Sequence, residues 1–98
     1  MEKIRELINY SNKGILSKTI VKNDSLNVTL FSMAAGTEIS EHTSTKSGFV
    51  YVVEGKGIFN LAGDDIQMAE GVFIYMGANS RHSLSAEENT SFILTLSN

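Results

Sequence analysis

The sequence contains no cysteine, which excludes disulfide bonds, thiolate metal sites, iron–sulfur clusters and a cysteine nucleophile. It also contains no proline, although an average usage of about 5% would place roughly five prolines in a chain of 98 residues. A large excess of charge is lacking too, since 8 basic and 11 acidic residues give a net charge of −3. The composition therefore offers no electrostatic basis for binding nucleic acid or an anionic membrane.

Long apolar runs are also missing. The longest, Phe49–Val53 and Val72–Met76, hold five residues each, whereas a membrane-spanning helix needs about 20. The segment Met1–Asn9 carries too many charges to form the apolar part of a secretory signal. We therefore expect a cytoplasmic protein with neither a membrane nor a nucleic-acid partner.

The composition is that of a globular domain, with 42% hydrophobic and 19% charged residues. Segments rich in β-branched and aromatic residues recur about every 8–12 residues between turn-forming clusters, which is the spacing of an all-β sandwich or barrel. We expect one domain over residues 1–98, a short helix within Glu2–Tyr10, turns at Glu54–Gly57 and Gly63–Asp65, and positive φ at Gly36 and Gly55. Strands are predicted at Ile15–Lys22, Val28–Phe31, Phe49–Val53, Ile58–Leu61, Val72–Tyr75 and Phe92–Leu96.

The sequence has two histidines, and each lies in a strand-like segment framed by glycines. Gly36 precedes His42 with five residues between them, and Gly71 opens the segment that contains His82. These two segments, residues 36–55 and 71–86, resemble the two sequence motifs of the cupin superfamily. The resemblance implies a double-stranded β-helix, the cupin jelly roll, in which two antiparallel sheets close around an interior pocket.

Several positions depart from the family's motifs. A member with complete motifs has three histidines and one carboxylate, which hold iron, manganese, nickel or zinc. This chain has Ser44 at the position of the second histidine and Gly48 at that of the carboxylate, so the resemblance retains His42 and His82 as metal ligands. Two imidazoles alone should hold a divalent metal weakly, because catalytic zinc sites use three protein ligands. The second motif also departs from the family, at Gly77, Asn79 and Ala86.

Strand alternation predicts which side chains share a face with His42. On an unbulged strand Ser44 and Gly48 share its parity. Glu38 has the same parity, but four residues of extended chain place it roughly 13 Å away, too far to share a metal ion. We therefore expect His42, Ser44 and Gly48 to converge with His82 inside the barrel, and a ligand to contact His42, Ser44 and His82.

Three interpretations of the histidine pair remain open. In the first, the imidazoles are hydrogen-bonded to each other, to Ser44 or to water. In the second, they hold a divalent ion, and water molecules complete the coordination shell of that ion. In the third, they anchor a small organic ligand by hydrogen bonds. The corresponding functions are a barrel that binds a small polar metabolite with or without a weakly held Zn, Ni, Fe or Mn ion, a metal-dependent isomerase, dioxygenase or decarboxylase, and a structural or regulatory barrel with an inert interior. The two missing ligands tell against the enzyme, and the two retained histidines tell against an inert interior.

The resemblance also implies a homodimer in which Met1–Lys22 packs on a partner sheet. Two general arguments favour a dimer: edge strands need covering, and outward-facing Phe49 and Tyr51 would leave apolar surface exposed. We therefore expect a homodimer with a small-molecule ligand.

Overall fold

A short helix and nine strands make up residues 3–98, which are the residues that this computed structural model describes. Every pair of neighbouring strands is antiparallel. The elements are α1 (Ile4–Leu7), β1 (Ile15–Lys22), β2 (Leu26–Met33), β3 (Glu38–Thr43), β4 (Gly48–Glu54), β5 (Gly57–Leu61), β6 (Asp64–Met68), β7 (Phe73–Met76), β8 (Arg81–Ala86) and β9 (Thr90–Ser97).

The strands form two sheets with a common core. The five-stranded sheet has the order β1-β2-β9-β4-β7, and the four-stranded sheet has the order β3-β8-β5-β6. Buried side chains of both sheets belong to one hydrophobic cluster, with Val50 and Phe92 from the first sheet and Phe59 and Leu84 from the second. The predicted all-β jelly roll of two antiparallel sheets is confirmed.

Alternation along the strands decides which side chains reach the core. In β8, His82, Leu84 and Ala86 are buried, while the residues between them are partly exposed. In β4, Val50 is buried and Tyr51 is exposed. Because successive side chains of a strand point to opposite faces, this pattern places His82 on the inner face of its sheet.

The strand bounds follow the six predicted segments closely, whereas β3, β6 and β8 have no counterpart among them. The predicted segment Ile15–Lys22 coincides with β1, and the other five predicted strands lie within or beside observed ones. The turn predicted at Gly63–Asp65 instead occupies Ala62 and Gly63, whose φ values of 51° and 94° suit a two-residue hairpin. Asp64 and Asp65 therefore begin β6 and are exposed strand residues.

Two glycines have the positive φ that the sequence predicts. Gly36 has a φ of +85° and Gly55 a φ of +111°. At Gly55 space is limiting as well, because a Cβ would lie 2.5 Å from the backbone oxygen of Asn89. Both the conformation and the close approach therefore require glycine at Gly55.

The predicted helix over Glu2–Tyr10 is wrong in extent. The structure has a helix only at Ile4–Leu7; Glu2 lies outside the described residues. Lys3 precedes the helix without a side-chain cap, and the backbone is extended again at Ile8. A helix this short gains too few hydrogen bonds to extend without capping or packing on both sides.

The segment around this helix lies on the chain's own five-stranded sheet. Arg5 donates a hydrogen bond of 3.1 Å to Glu54 and one of 2.6 Å to Glu70. The hydroxyl of Tyr10 donates to Glu54 at 2.8 Å and lies 2.6 Å from the hydroxyl of Ser91. Burial raises the pKa of Tyr10 to about 12. These contacts are made within one chain, and the packing of Met1–Lys22 on a partner sheet stays a prediction. Among residues 3–98 no helix is long and apolar enough to cross a membrane.

Candidate functional site

His42 and His82 are direct neighbours across two antiparallel strands. They are cross-strand partners in β3 and β8, and their ring centroids lie 4.0 Å apart with an angle of 61° between the ring planes. The ring of Phe59 lies parallel to that of His82, with a centroid distance of 5.9 Å. The two histidines that the sequence singled out therefore form one site on the inner side of the four-stranded sheet.

A β-bulge in β3 sets the direction of His42. Ile39 pairs with Leu84 and His42 with His82, so three steps along β3 match two steps along β8. The extra residue reverses the alternation, and Ile39 lines the same cavity as His42. Strand alternation without a bulge predicted that Glu38 and His42 share a face of the strand. This prediction is wrong, because the bulge lies between the two residues. The Glu38 side chain is exposed.

The backbone holds each imidazole by its Nδ1 atom. Nδ1 of His42 lies 2.8 Å from the carbonyl oxygen of Ser40, and Nδ1 of His82 lies 3.1 Å from that of Ser80. Because a carbonyl oxygen only accepts hydrogen bonds, both Nδ1 atoms carry hydrogen. Nε2 is then the nitrogen of each ring that is left for a ligand, an arrangement that is common where histidines bind metals or substrates.

The histidines do not satisfy each other by hydrogen bonding, as one interpretation of the sequence supposed. Their rings meet edge to face, and within the part of the chain that the structure describes neither Nε2 has a hydrogen-bond partner. Burial lowers the pKa of His82, whose exposed fraction is 6%; His42 lowers it further, and the carbonyl of Ser80 acts in the opposite direction. His42 itself is exposed, which places it where the site meets solvent.

A cavity of about 110 Å³ lies between the sheets beside the two imidazoles. Of the described residues that line it, two have polar side chains, His42 and His82. Strand alternation was the sequence signal that could have identified its apolar walls, because they come from alternate residues of the strands that face the core. The apolar lining residues are Phe31, Ile39, Val50, Phe59, Met76, Leu84, Phe92 and Leu94.

Neither Ser44 nor Gly48 is among the residues that line this cavity. β3 ends at Thr43 and β4 begins at Gly48 in the other sheet, so the face-sharing expected of one unbulged strand is wrong. The hydroxyl of Ser44 instead accepts a hydrogen bond of 3.1 Å from the amide of Lys46. Contact of a ligand with His42, Ser44 or His82 stays a prediction, and for Ser44 the placement gives it no support.

The residues present do not fit the metal centre that the complete family motifs imply. No three histidine or acidic side chains within residues 3–98 lie close enough to hold one ion. The carboxylate position cannot be filled as the backbone stands, because a Cβ on Gly48 would overlap the carbonyl oxygen of Thr95 and lie 3.0 Å from Leu96. Two imidazoles are the donor set that remains, one nitrogen short of the usual three protein ligands.

Comparison with known sequences agrees with this fold. The sequence model of the cupin domain family matches residues 29–97, which is more than half of the chain. The chain therefore belongs to the cupin family. No curated protein matches its sequence.

Solved structures with the same fold include proteins of very different size. A conserved protein of unknown function from Streptococcus pyogenes has a TM-score of 0.90 and 26% identity, and the match covers 100% of this chain and 86% of that one. A cupin superfamily protein from Desulfitobacterium hafniense has a TM-score of 0.88 and 17% identity over 94% and 84% of the two chains. A mutant of salicylate 1,2-dioxygenase from Pseudoaminobacter salicylatoxidans has a TM-score of 0.80 and 20% identity, over 85% of this chain but 26% of that one. At identities this low, the second and third similarities establish the fold alone.

Proposed function

We propose that this protein is a cupin-type barrel that binds a small organic molecule in its interior cavity. The observation that carries the proposal is the histidine pair: two imidazoles, each held at Nδ1 by the backbone, leave Nε2 for a ligand beside a cavity with otherwise apolar walls. Pockets of this kind bind an apolar body and orient it by a few polar groups.

The residues that line the cavity restrict the class of polar metabolite that the sequence predicts as its ligand. Eight of the ten lining side chains are apolar, so a ligand with many polar groups would lose hydration without gaining partners. A ligand with an apolar body and one polar group at His42 and His82 matches the lining better. The exposure of His42 gives such a molecule a route to the cavity from solvent.

A metal-dependent enzyme is the second candidate, because the same fold carries the dioxygenase named above. The specific observation in its favour is that both histidines leave Nε2 available, as metal ligands do. The donor set counts against it, since two imidazoles should hold Zn²⁺, Ni²⁺, Fe²⁺ or Mn²⁺ only weakly.

One experiment separates the two candidates. Protein purified without a histidine tag is analysed for bound metal, and after treatment with a chelator it is titrated with small organic molecules while amide shifts are followed by NMR. Binding to the chelated protein with shifts around His42, His82 and Phe59 supports the proposal. Stoichiometric metal, with ligand binding only in its presence, would support the enzyme instead. Ser85→Ala, which changes the opposite face of β8, should bind the same molecules as tightly as wild type.

A further inference from the structure

The histidine pair presents acceptors, and no donors, in its neutral form. Each Nδ1 donates its hydrogen to a backbone carbonyl. A neutral imidazole has one N–H group, so Nε2 of each ring is an acceptor. A ligand group that meets either Nε2 must therefore supply the hydrogen itself.

Among residues 3–98, no cationic side chain lines the cavity to compensate a negative ligand. The other eight lining residues are apolar, and Arg81, next to His82 in sequence, is exposed. A carboxylate that entered would lose its water and meet two acceptor atoms. Burial of a charge without a partner costs far more than burial of a neutral hydroxyl group that donates a hydrogen bond.

The size of the cavity limits the ligand to about one ring. An apolar cavity of about 150 Å³ in another protein holds benzene, and the cavity here measures about 110 Å³, with the exposed His42 in its lining. Three phenylalanines line it, Phe31, Phe59 and Phe92, and aromatic rings pack well against an aromatic ligand.

We infer that the cavity selects ring-sized molecules that carry a neutral hydroxyl or N–H donor, and that it discriminates against carboxylate anions of the same size. The inference rests on the binding function proposed above and adds the chemical class of the ligand. His42 and His82 are the residues that make the selection, through their Nε2 atoms.

Three probes of similar size test the selection. Phenol offers a donor, benzene offers neither donor nor charge, and benzoate offers a charge. Each is titrated by NMR into chelator-treated protein at neutral pH. Phenol is expected to bind roughly fivefold more tightly than benzene, the ratio that one net hydrogen bond gives. Benzoate is expected to bind more weakly than both.

Two variants assign the effect to the histidines. In the double variant His42→Phe, His82→Phe both rings are kept and both acceptors are lost, so the ratio of phenol to benzene affinity should fall to about one while benzene still binds. Each single variant leaves one acceptor and should lower the ratio only in part; His42→Phe changes an exposed residue and provides this test if the variants at His82 fail to fold. Ser85→Ala is the control and should keep the ratio of the wild type. Long-range ¹H–¹⁵N spectra of the imidazoles read the tautomer directly, with hydrogen expected on Nδ1.

The possible results separate this inference from the proposed function. If benzene binds as tightly as phenol, or benzoate binds most tightly, the selection is refuted and the cavity still binds ligands. Imidazole spectra with hydrogen on Nε2 would also refute it. If none of the three probes binds the chelated protein, the proposed function is refuted together with this inference.

Discussion

Alanine at Gly48 is expected to destabilise the protein strongly, although it adds one methyl group. Gly48 pairs with Leu96 at the end of the β4–β9 ladder, and the added Cβ would overlap the carbonyl oxygen of Thr95. The obstacle is backbone, so the two strands must separate. Overpacking costs about 1–3 kcal/mol, and each ladder hydrogen bond lost costs about 1 kcal/mol. The neighbouring bond from the Ser97 amide to Ser47, 3.0 Å long, is the one most at risk.

The sum is a loss of about 2–4 kcal/mol, a large share of the roughly 5–15 kcal/mol that keeps a small domain folded. For a chain of this length it lowers the melting temperature by roughly 10–30 °C. Urea unfolding followed by circular dichroism measures the free energy of unfolding. Gly77→Ala is the control, because its Cβ would meet only the Ser80 hydroxyl, at an ordinary 3.7 Å. It should stay within about 0.5 kcal/mol of wild type.

The same reasoning applies to the carboxylate that the family motif would place at Gly48. Glutamate has the same Cβ, so Gly48→Glu should be at least as destabilising as Gly48→Ala. Combined with Ser44→His it should leave the affinity for Zn²⁺ unchanged, because Ser44 lies outside the cavity lining and a Cβ at Gly48 would overlap the backbone of Thr95. An unfolding free energy for Gly48→Ala within 0.5 kcal/mol of wild type, about the scatter of neutral surface changes, would refute the close approach and with it this account of the missing ligand.

Three further predictions concern titration and assembly. Because the pKa of His82 is lowered in the folded protein, the unfolded chain binds the proton of this imidazole more tightly. The contribution of neutral His82 to stability is therefore present above pH 6.5 and is lost as the pH falls towards the pKa of the folded protein. Urea unfolding should show that wild type loses more stability than His82→Phe between neutral pH and mild acid. The pKa of Tyr10 is shifted in the opposite direction, so the contribution of this phenol to stability is present below pH 10 and is lost as the pH rises through about 12. The absorbance of wild type should therefore show a tyrosinate transition at high pH that is missing from Tyr10→Phe. The homodimer stays a prediction. The apolar surface that a second copy would cover is formed by Phe73 and Tyr75 on the edge strand β7, whose exposed fractions are 59% and 64%. Light scattering should therefore give a dimer mass for wild type and a lower mass for Tyr75→Glu. A monomer mass for wild type at micromolar concentration would contradict the dimer.

The parts of the fold that the sequence predicts are those set by local pattern. Ile15–Lys22 alternates β-branched and polar residues, and it forms β1 with those bounds. Gly36 and Gly55 interrupt strand-like segments, and both have positive φ. The pairing of His42 with His82 was also predictable, through the resemblance of two separate segments to motifs of one known fold. These features depend on residues that are close in sequence or on a pattern learned from other proteins.

The parts that could not be predicted depend on contacts between distant segments. The space at Gly48 is filled by the backbone of Thr95, and nothing in the sequence around Gly48 indicates that approach. Between Thr43 and Gly48 the chain crosses from β3 in one sheet to β4 in the other. The alternation of side chains along a single strand therefore cannot be carried from β3 to β4. The Nδ1 contacts to Ser40 and Ser80 are local in sequence, but they depend on side-chain rotamers that the sequence does not specify.

The bulge in β3 links these local and distant effects to the chemistry of the site. Without it, the alternation that points His42 inward would also point Glu38 inward, and a carboxylate would share the cavity wall with the histidines. With one extra residue between Ile39 and His42, the inward position belongs to Ile39, and Glu38 is exposed. The strand that supplies a histidine therefore supplies an apolar wall and no negative charge. A lining without a carboxylate keeps both Nε2 acceptors available to a neutral donor, as the proposed preference for a small hydroxyl compound requires. One inserted residue in an edge strand thus removes a negative charge from the wall beside the histidines and puts an apolar side chain in its place.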